Sequence, residues 1–424
     1  MNPKKITSNL AKEEYFYMKH PSGLDIYVYP KKGYSSKYAV FGTNFGSINN
    51  TFKVKGEESY TVLPDGIAHY LEHKLFESVD GDAFSLFSKT GASANAYTSF
   101  EKTAYLFSCS DNFEESLNIL LDFVQSPYFT PQNVEKERGI ISQEIKMYQD
   151  SPEWKMLINL LESLYHNHPV KIDIAGSVES IQKITPEILY KCYDAFYNLN
   201  NMVICLVGDI DPERTFSLID KKLKYSNTSE VERYFPPEPA EVVKNYVSES
   251  FDIGQPMFSI GFKEDISSKI STEDSVYSDI IMHYLTSPSN EMYQELLEKD
   301  LINISSFTGE HFEGPGYSSL IFSGESKNPE EAAEIIKKHV LKLSFSGMDE
   351  KSFERTKKAV YGKSMSVFNS VPSIANVLLS FAISEKDFFG YMNMLENADI
   401  KKLNERIKKH FKENNFALSV AKPR

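Results

Sequence analysis

Apolar and polar residues alternate in some stretches of this chain and recur every three or four positions in others, which predicts both strands and helices. Residues 22–48 alternate and are rich in β-branched and aromatic side chains, so we predict two strands joined by a turn at 31–36. Thr130 and Pro131 open a long helix that runs to about Asp150, with Thr at the cap and Pro in the first turn. Further helices are predicted at 83–88, 113–125, 154–165, 186–198, 273–297, 329–343 and 350–368, and further strands at 94–97, 103–108, 201–209, 257–262, 304–308, 317–323 and 416–421.

The order of these segments repeats once along the chain. Residues 226–243 contain three prolines and a cluster of charges, which is typical of a linker. A strand, a helix, a strand pair, further helices and a final strand follow it, much as they precede it. We therefore predict a first half at 1–225, the linker at 226–243 and a second half at 244–424. The mixed order indicates an α+β fold of two similar halves, each an antiparallel-type sheet layered with helices.

Composition narrows the classes of function. The net charge of −13 argues against a nucleic-acid-binding protein, which would carry a basic patch. Cys109, Cys192 and Cys205 are far apart and form no CxxC motif, so we expect buried, packing cysteines in a reducing compartment. The sequence has no apolar run long enough to span a membrane, and its first 21 residues lack the apolar core of a signal peptide. We therefore expect a cytoplasmic protein without a membrane partner.

A pair of histidines is the first candidate for a functional site. His69, Glu72 and His73 lie in an apolar stretch, 66–76, with one leading glycine and no proline, which predicts a helix. Positions four apart share a helix face, so His69 and His73 can offer two imidazoles to one ion, with Glu72 beside them. These residue types are typical zinc ligands and bases, and chance would produce the pattern about 0.03 times in a chain of this composition. The alternative is a pair of core or surface histidines beside a solvated glutamate.

A third zinc ligand is needed, because a catalytic zinc usually has three protein ligands and a water. The helix that starts at Pro131 offers Glu135, Glu137 and Glu144. Glu137 and Glu144 are two turns apart on one face beside apolar surface, where a carboxylate is costly unless it is paired or bound to a cation. Glu144 as the ligand and Glu137 as an outer partner fit this arrangement. An ordinary charged helix face is the alternative.

The two motifs together resemble a known family. His-x-x-Glu-His at 69–73, followed by Glu-Arg-x-x-x-x-x-Glu at 137–144, resembles the pitrilysin/insulinase family of zinc metallopeptidases, the inverzincins. Further agreement lies at Asn95-Ala96-Tyr97-Thr98, at His168-Pro169 and at Asn201-Met202-Val203. The resemblance covers about residues 20–220 and extends to the second half only by the order of its elements. The pattern is similar to the small-chain branch of the family, which resembles mitochondrial processing peptidase.

The resemblance implies a zinc-dependent endopeptidase with the metallohydrolase, ferredoxin-like form of the α+β fold. It implies that His69, His73 and Glu144 bind Zn²⁺, that Glu72 is the catalytic base, and that Glu137 is a supporting carboxylate of the catalytic group. The substrate would be a peptide or an unfolded segment, hydrolysed by a zinc-activated water.

The same resemblance implies a substrate site on a strand. Asn95 and Ala96, on an edge strand, would hold the backbone of the peptide, which would add to the sheet as a further strand. A plain turn or strand end at these residues is the alternative.

The second half departs from the family pattern. Family members that act as one chamber carry an Arg and a Tyr seven positions apart in the zinc-less half. Here Leu297 and Ile304 stand at those positions, and Tyr317 is the nearest substitute. We therefore expect a dimer in which a zinc-less homologous subunit supplies the Arg and Tyr, or else a homodimer. Two other functions stay open: a non-catalytic structural or chaperone-like subunit with a vestigial zinc site, and a small-molecule metallohydrolase.

Overall fold

The computed structural model describes residues 3–79, 81–224, 230–265 and 270–424. Its strands are β1 (Lys4–Ser8), β2 (Glu13–Lys19), β3 (Asp25–Pro30), β4 (Lys37–Thr43), β5 (Thr51–Val54), β6 (Thr61–Val62), β7 (Glu77–Ser78), β8 (Gly81–Asp82), β9 (Ser93–Thr98), β10 (Thr103–Cys109), β11 (Met202–Gly208), β12 (Val231–Arg233), β13 (Tyr246–Phe251), β14 (Met257–Lys263), β15 (Thr308–Gly314), β16 (Tyr317–Glu325) and β17 (Phe416–Pro423). Its helices are α1 (Ile67–Leu75), α2 (Ala83–Thr90), α3 (Phe113–Val124), α4 (Pro131–Gln149), α5 (Pro152–Leu164), α6 (Val178–Ile181), α7 (Pro186–Phe196), α8 (Pro212–Lys222), α9 (Thr272–Leu285), α10 (Glu291–Glu298), α11 (Pro329–Ser346), α12 (Glu350–Ser366), α13 (Val371–Ile383), α14 (Phe388–Glu396) and α15 (Ile400–His410).

These elements form two compact units, each assembled from separate parts of the chain. The first unit consists of Met1–Ile145, Asp173–Tyr234 and Met365–Phe389, and the second of Lys146–Ile172, Phe235–Ser364 and Gly390–Arg424. The contiguous halves predicted at 1–225 and 244–424 differ from this division, because α5 belongs to the second unit and α13 to the first. Apolar packing causes the exchange: α5 lies on β14 and β17, whereas α13 lies on β4 and β11.

The sheet of the first unit has seven strands in the order β1-β2-β3-β11-β4-β10-β9. Neighbours are antiparallel except β3 and β11, which are parallel. Helix α13 approaches this sheet closely at Gly42 of β4, where an added Cβ would lie 2.7 Å from Leu379 Cδ1. The missing side chain of Gly42 therefore makes room for a leucine of the covering helix.

The sheet of the second unit repeats the topology of the first. Its order is β13-β17-β14-β16-β15, again with one parallel pair, β13 and β17. Strand for strand, this matches β3-β11-β4-β10-β9. The glycine recurs as well, since a Cβ added to Gly261 of β14 would lie 2.8 Å from Leu164 Cδ1 of α5. The predicted α+β fold of two similar halves is confirmed.

The structure differs from the predicted elements in several places. Strands β1, β2 and β13 and helices α13, α14 and α15 were not predicted. The strand predicted at 304–308 is wrong, because Ile304 is 63% exposed and the chain pairs with β16 only from Thr308 onward. The helix predicted at 273–297 is interrupted between α9 and α10, where Pro288 cannot donate a backbone hydrogen bond.

The segment predicted as a linker contains ordered structure. Residues 226–229 lie outside the described part of the chain, but β12 follows them and pairs with β5 of the first unit. Arg233 of β12 donates to the side chain of Asn201, 2.9 Å away. This part of the segment is therefore fixed to the first unit.

Two further properties concern the chain as a whole. Cys109, Cys192 and Cys205 are free and buried, which confirms their predicted packing role. Over the described ranges, no single helix combines the length and the apolar composition needed to cross a bilayer.

A close backbone approach fixes the start of α1. Gly66 precedes the helix with φ of 89°, and a Cβ on Gly66 would collide with the backbone carbonyl of Ala175. The residue must therefore lack a side chain for two reasons, its left-handed backbone and its packing. This contact sets where the helix that carries His69 and His73 begins.

Replacing Gly66 by Ala tests this constraint. Left-handed backbone alone costs an alanine about 1–2 kcal/mol, and the collision with backbone raises the loss to about 3 kcal/mol or more. Gly91→Ala is the matched control, because Gly91 also has positive φ, 78°, but faces open space. Urea unfolding followed by circular dichroism should show the larger loss for Gly66→Ala, and equal losses for the two variants would contradict the packing argument.

Candidate metal centre

Helix α1 presents its two histidines together. Ile67, Tyr70 and Leu71 are buried, so they fix which face of the helix points inward. His69 and His73, one turn apart, project side by side with ring centroids 4.6 Å apart. The helix predicted from the apolar run therefore exists, and it brings the two imidazoles together.

Glu144 of α4 meets both histidines. One carboxylate oxygen, Oε1, lies 3.6 Å from His69 Nε2, and the other, Oε2, lies 3.3 Å from His73 Nε2. Side-chain atoms that could bind a metal in these three residues all lie within 4.8 Å of one another. Ligand atoms about 2.0–2.2 Å from a tetrahedral zinc would lie about 3.4 Å apart. The donor set and its spacing therefore fit a zinc ion.

Two anchors hold α4 against α1. The hydroxyl of Tyr70 donates to the carbonyl oxygen of Val134. Val134, Ile141 and Ile145 are buried, so α4 packs along its apolar face and turns Glu144 toward the histidines. The long separation in sequence is thus closed by ordinary helix packing.

Glu137 orients one of the imidazoles. Its Oε1 lies 3.0 Å from His73 Nδ1, the ring nitrogen that faces away from Glu144. Burial alone would lower the pKa of His73, but hydrogen bonds with Glu137 and Glu144 raise it to about 10. Hydrogen bonds from His69 and His73 lower the pKa of Glu144. The carboxylates thus favour positive charge at this place, which is the property of a cation site.

Glu72 lies beside these residues in a different environment. Its side chain is buried, and Thr98 donates a hydrogen bond to its Oε2 at 2.7 Å. Burial raises the pKa of Glu72, although His69 and the Thr98 hydrogen bond oppose the shift. A carboxylate that holds a proton more readily than usual suits a residue that accepts and returns one.

The proposed substrate residues lie on the strand that ends the first sheet. Strand β9 pairs only with β10 among the described strands, so its other edge is open. Asn95 is exposed and Ala96 is partly exposed on this edge strand. Thr98, the partner of Glu72, closes the same strand.

The prediction that Tyr317 could substitute for the missing Arg and Tyr pair is wrong. Its side chain is only 2% exposed, and its ring packs within the second unit against His168, at 5.3 Å, and Phe312, at 5.0 Å. A buried phenol cannot contact a peptide. Ile304 is exposed but carries no polar group, and Leu297 lies in α10.

Two residues of the site make contacts that sequence reasoning did not predict. Thr98 was visible only as part of a family-like segment, and its contact with Glu72 depends on the fold. Lys74 directly follows His73, yet it is fully buried, with its ammonium 2.5 Å from Glu77 Oε2. The one signal in the sequence is that a lysine interrupts the apolar run of α1.

Comparisons with known proteins agree with this geometry. The family model described as insulinase (peptidase family M16) matches residues 61–178, which include all three candidate ligands, and the model described as peptidase M16 inactive domain matches 183–360. An uncharacterized zinc protease of Bacillus subtilis, YmfH, is 37% identical over 430 residues, 99% of each chain.

Two further relatives extend the match. The crystal structure of a protein described as an M16-like peptidase, from Alicyclobacillus acidocaldarius, has a TM-score of 0.92 and 31% identity and covers 100% of this chain and 99% of the other. An Arabidopsis thaliana protein, named as a probable mitochondrial-processing peptidase subunit beta, is 28% identical over 162 residues, which are 37% of this chain and 30% of that protein.

The repeated sheet, the paired motifs on α1 and α4 and these full-length matches lead to one assignment. The chain belongs to peptidase family M16, the pitrilysin/insulinase family, and its full-length relative YmfH is named a zinc protease.

Proposed function

We propose that this protein is a zinc-dependent endopeptidase that hydrolyses peptides or unfolded segments, as the catalytic subunit of a dimer. The observation that carries the proposal is the convergence of His69, His73 and Glu144 within 4.8 Å, beside a buried Glu72. Membership of the M16 family supports the same chemistry. In this proposal the three residues hold zinc and Glu72 is the base.

The chain's own residues account for the proton movements. Bound zinc would supply Lewis acidity, which lowers the pKa of a water and polarises a carbonyl. Glu72 then accepts the proton of the water and returns it to the leaving amine. The hydrogen bond from Thr98 occupies only Oε2 of Glu72, so Oε1 is left for the proton. Glu137 holds the ring of His73 in place through Nδ1.

The edge strand gives the peptide a place to bind. An open edge presents unpaired backbone N–H and C=O groups, which can bind an extended peptide as an added strand. Asn95 and Ala96 lie on this edge, and Thr98 connects the same strand to the base. Backbone recognition of this kind tolerates many side chains, which suits an endopeptidase acting on unfolded segments.

The dimer is part of the proposal. The second unit offers no Arg and Tyr pair at positions 297 and 304, and Tyr317 is buried. One relative is itself named as a subunit of a processing peptidase. A zinc-less homologous chain would supply the missing pair; in the alternative, a homodimer, the second copy would pair with this chain without supplying it. We also propose a cytoplasmic location, in keeping with three cysteines that are free.

The second candidate is a structural or chaperone-like subunit with a vestigial site. This candidate is supported by the match of residues 183–360 to a family model described as an inactive domain. That match lies outside the residues that meet at the metal centre. The intact set of His69, Glu72, His73 and Glu144 favours the enzyme, because a site without function has no reason to retain every member.

The metal site is tested by Glu144→Gln. A neutral amide replaces the carboxylate ligand, so zinc affinity should fall by more than the about 10–100-fold that the loss of an outer partner costs. Zinc content by mass spectrometry and competition with a chelator give the measurement. Glu135→Gln is the matched control on the same helix, because Glu135 is exposed and outside the cluster. Equal zinc affinity in the two variants would refute the ligand assignment.

The base is tested by Glu72→Gln. The glutamine cannot accept a proton, so hydrolysis of an unfolded, fluorescently quenched peptide should fall by about 10²–10⁴-fold. Zinc content should stay the same, because Glu72 is not among the grouped ligands. The unaltered protein and Glu135→Gln serve as references. A variant that retains full turnover would remove Glu72 from the mechanism and favour the non-catalytic candidate.

The dimer is tested by turnover as a function of protein concentration. A homodimer gives a specific activity that rises with concentration, together with a dimer in sedimentation velocity. A chain that needs a different subunit stays slow at every concentration until a zinc-less homologue is added. High turnover by a sedimenting monomer, independent of concentration, would contradict both forms of the proposal.

A further inference from the structure

A fully buried lysine lies at the metal centre without an assigned role. Lys74 follows His73 on α1, and its side chain has no exposed surface. Its ammonium lies 2.5 Å from Glu77 Oε2 and 3.9 Å from Glu137 Oε2. Burying an ammonium is costly unless its partners compensate, and an apolar residue would fill the same space at less cost. The position therefore calls for a reason beyond packing.

Helix geometry directs Lys74 toward α4. Tyr70 and Lys74 are one turn apart and share a face of α1. Tyr70 donates to the carbonyl of Val134, and Lys74 reaches Glu137, which is about one turn further along α4. The two contacts run in register along the crossing of the two helices. Lys74 thus meets Glu137 where the helix of the histidines contacts the helix of the third ligand.

Glu137 is held from two sides. Its Oε1 pairs with His73 Nδ1 at 3.0 Å, while its Oε2 faces Lys74. A rotation of the carboxylate that breaks one contact also breaks the other.

The two histidines differ in the hydrogen bonding of the ring nitrogen that faces away from Glu144. The outer nitrogen of His73 is paired with Glu137, whereas the outer nitrogen of His69, Nδ1, is buried with no hydrogen-bond partner among the described residues. An outer acceptor fixes the tautomer and the ring direction of a metal-binding histidine. The orientation of the His73 ring therefore depends on Glu137, and Lys74 lies beside the second oxygen of Glu137.

We propose that Lys74 is a positioning residue of the metal centre: its buried ammonium holds the Glu137 carboxylate in the orientation that accepts the Nδ1–H of His73 and leaves Nε2 for the metal ion. The proposal rests on the proposed function only in naming zinc as the ion. Lys74 itself contacts neither the ion nor a substrate.

A merely structural role for Lys74 makes a different prediction. If the lysine serves only to tie α1 to Glu77, its loss lowers stability and leaves the affinity of the folded protein for zinc unchanged. If it acts through Glu137, its loss weakens zinc binding, and this loss disappears once Glu137 is already altered. Zinc affinity and a double-mutant cycle separate the two roles.

The test uses Lys74→Met, which keeps the length and volume of the side chain and removes its charge. Competition with a fluorescent chelator should show a zinc Kd raised about 10-fold, within the range for loss of an outer partner. Lys136→Met is the matched control, because Lys136 approaches the same Glu77 at 3.5 Å but from solvent, with 70% of its side chain exposed. Its zinc Kd should change less than about twofold, as expected for an exposed pair.

The cycle adds Glu137→Gln and the double variant. Glu137→Gln should weaken zinc binding at least as much as Lys74→Met, and the double variant should be no weaker than Glu137→Gln alone. Additive losses would overturn the proposal, as would an unchanged Kd for a folded Lys74→Met. If the unaltered protein itself binds no zinc, the proposed function fails instead, so the two failures are distinguishable.

Two conservative variants cover the case in which Lys74→Met does not fold. Lys74→Arg keeps the positive charge and should bind zinc within about threefold of the unaltered protein, as expected when an ionic partner is retained. Lys74→Gln keeps hydrogen-bonding capacity without charge and should bind more weakly than Lys74→Arg. Equal zinc affinities for these two variants would show that the charge of Lys74 has no part in positioning.

Discussion

The crossing of α1 and α4 is the contact on which the candidate site depends. Two imidazoles on one helix and a carboxylate on another must meet within a few ångströms, and neither helix can arrange this alone. Tyr70 and Val134 join the helices at one turn, and Gly66 fixes where α1 begins. A shift of either helix by one residue would rotate a ligand away by about 100°. The precision of the site is therefore a property of helix packing.

The same crossing gathers negative charge that the protein compensates only in part. Glu72, Glu137 and Glu144 lie close to His73, and Lys74 brings one fixed positive charge. Among the described residues, Glu144 forms its ion pairs with His69 and His73, whose charge depends on protonation. Like charges at short range oppose folding, so a bound cation would relieve a cost that the chain otherwise carries. The folded chain therefore holds these carboxylates in positions that favour binding of a cation.

Sequence pattern and fold differ in which of these residues they can predict. The spacing of His69 and His73 is local, so helical periodicity was enough to place both on one face. Glu144 was one of three glutamates on its helix; helical spacing selected Glu137 and Glu144, and the family resemblance then supported Glu144 as the ligand. Thr98 and Lys74 depend on contacts between elements, which no local pattern encodes. For the same reason the pattern predicted α5 as a helix, but not that it covers the sheet of the second unit.

Within the described ranges, the second unit shows the repeated fold without a group of residues spaced to hold a metal ion. In the first unit α1 contacts the edge strand β9, and in the second α9 contacts the edge strand β15. Near the start of α9 the acids are already paired: Arg406 lies 2.7 Å from Glu264 Oε1 and 2.9 Å from Asp274 Oδ1. A guanidinium keeps its charge at any physiological pH, and its N–H donors match the geometry of a carboxylate.

The two units therefore differ in the partners of their acidic residues. A carboxylate paired with arginine already has a permanent cation beside it, whereas Glu144 faces two histidines, whose nitrogens can bind a metal ion in place of a proton. Within the described ranges, the group of His69, His73 and Glu144 is the one whose spacing could hold a metal. The repeat therefore preserves the sheet and the helix at its edge strand, while the histidine pair and the glutamate that faces it lie in the first unit.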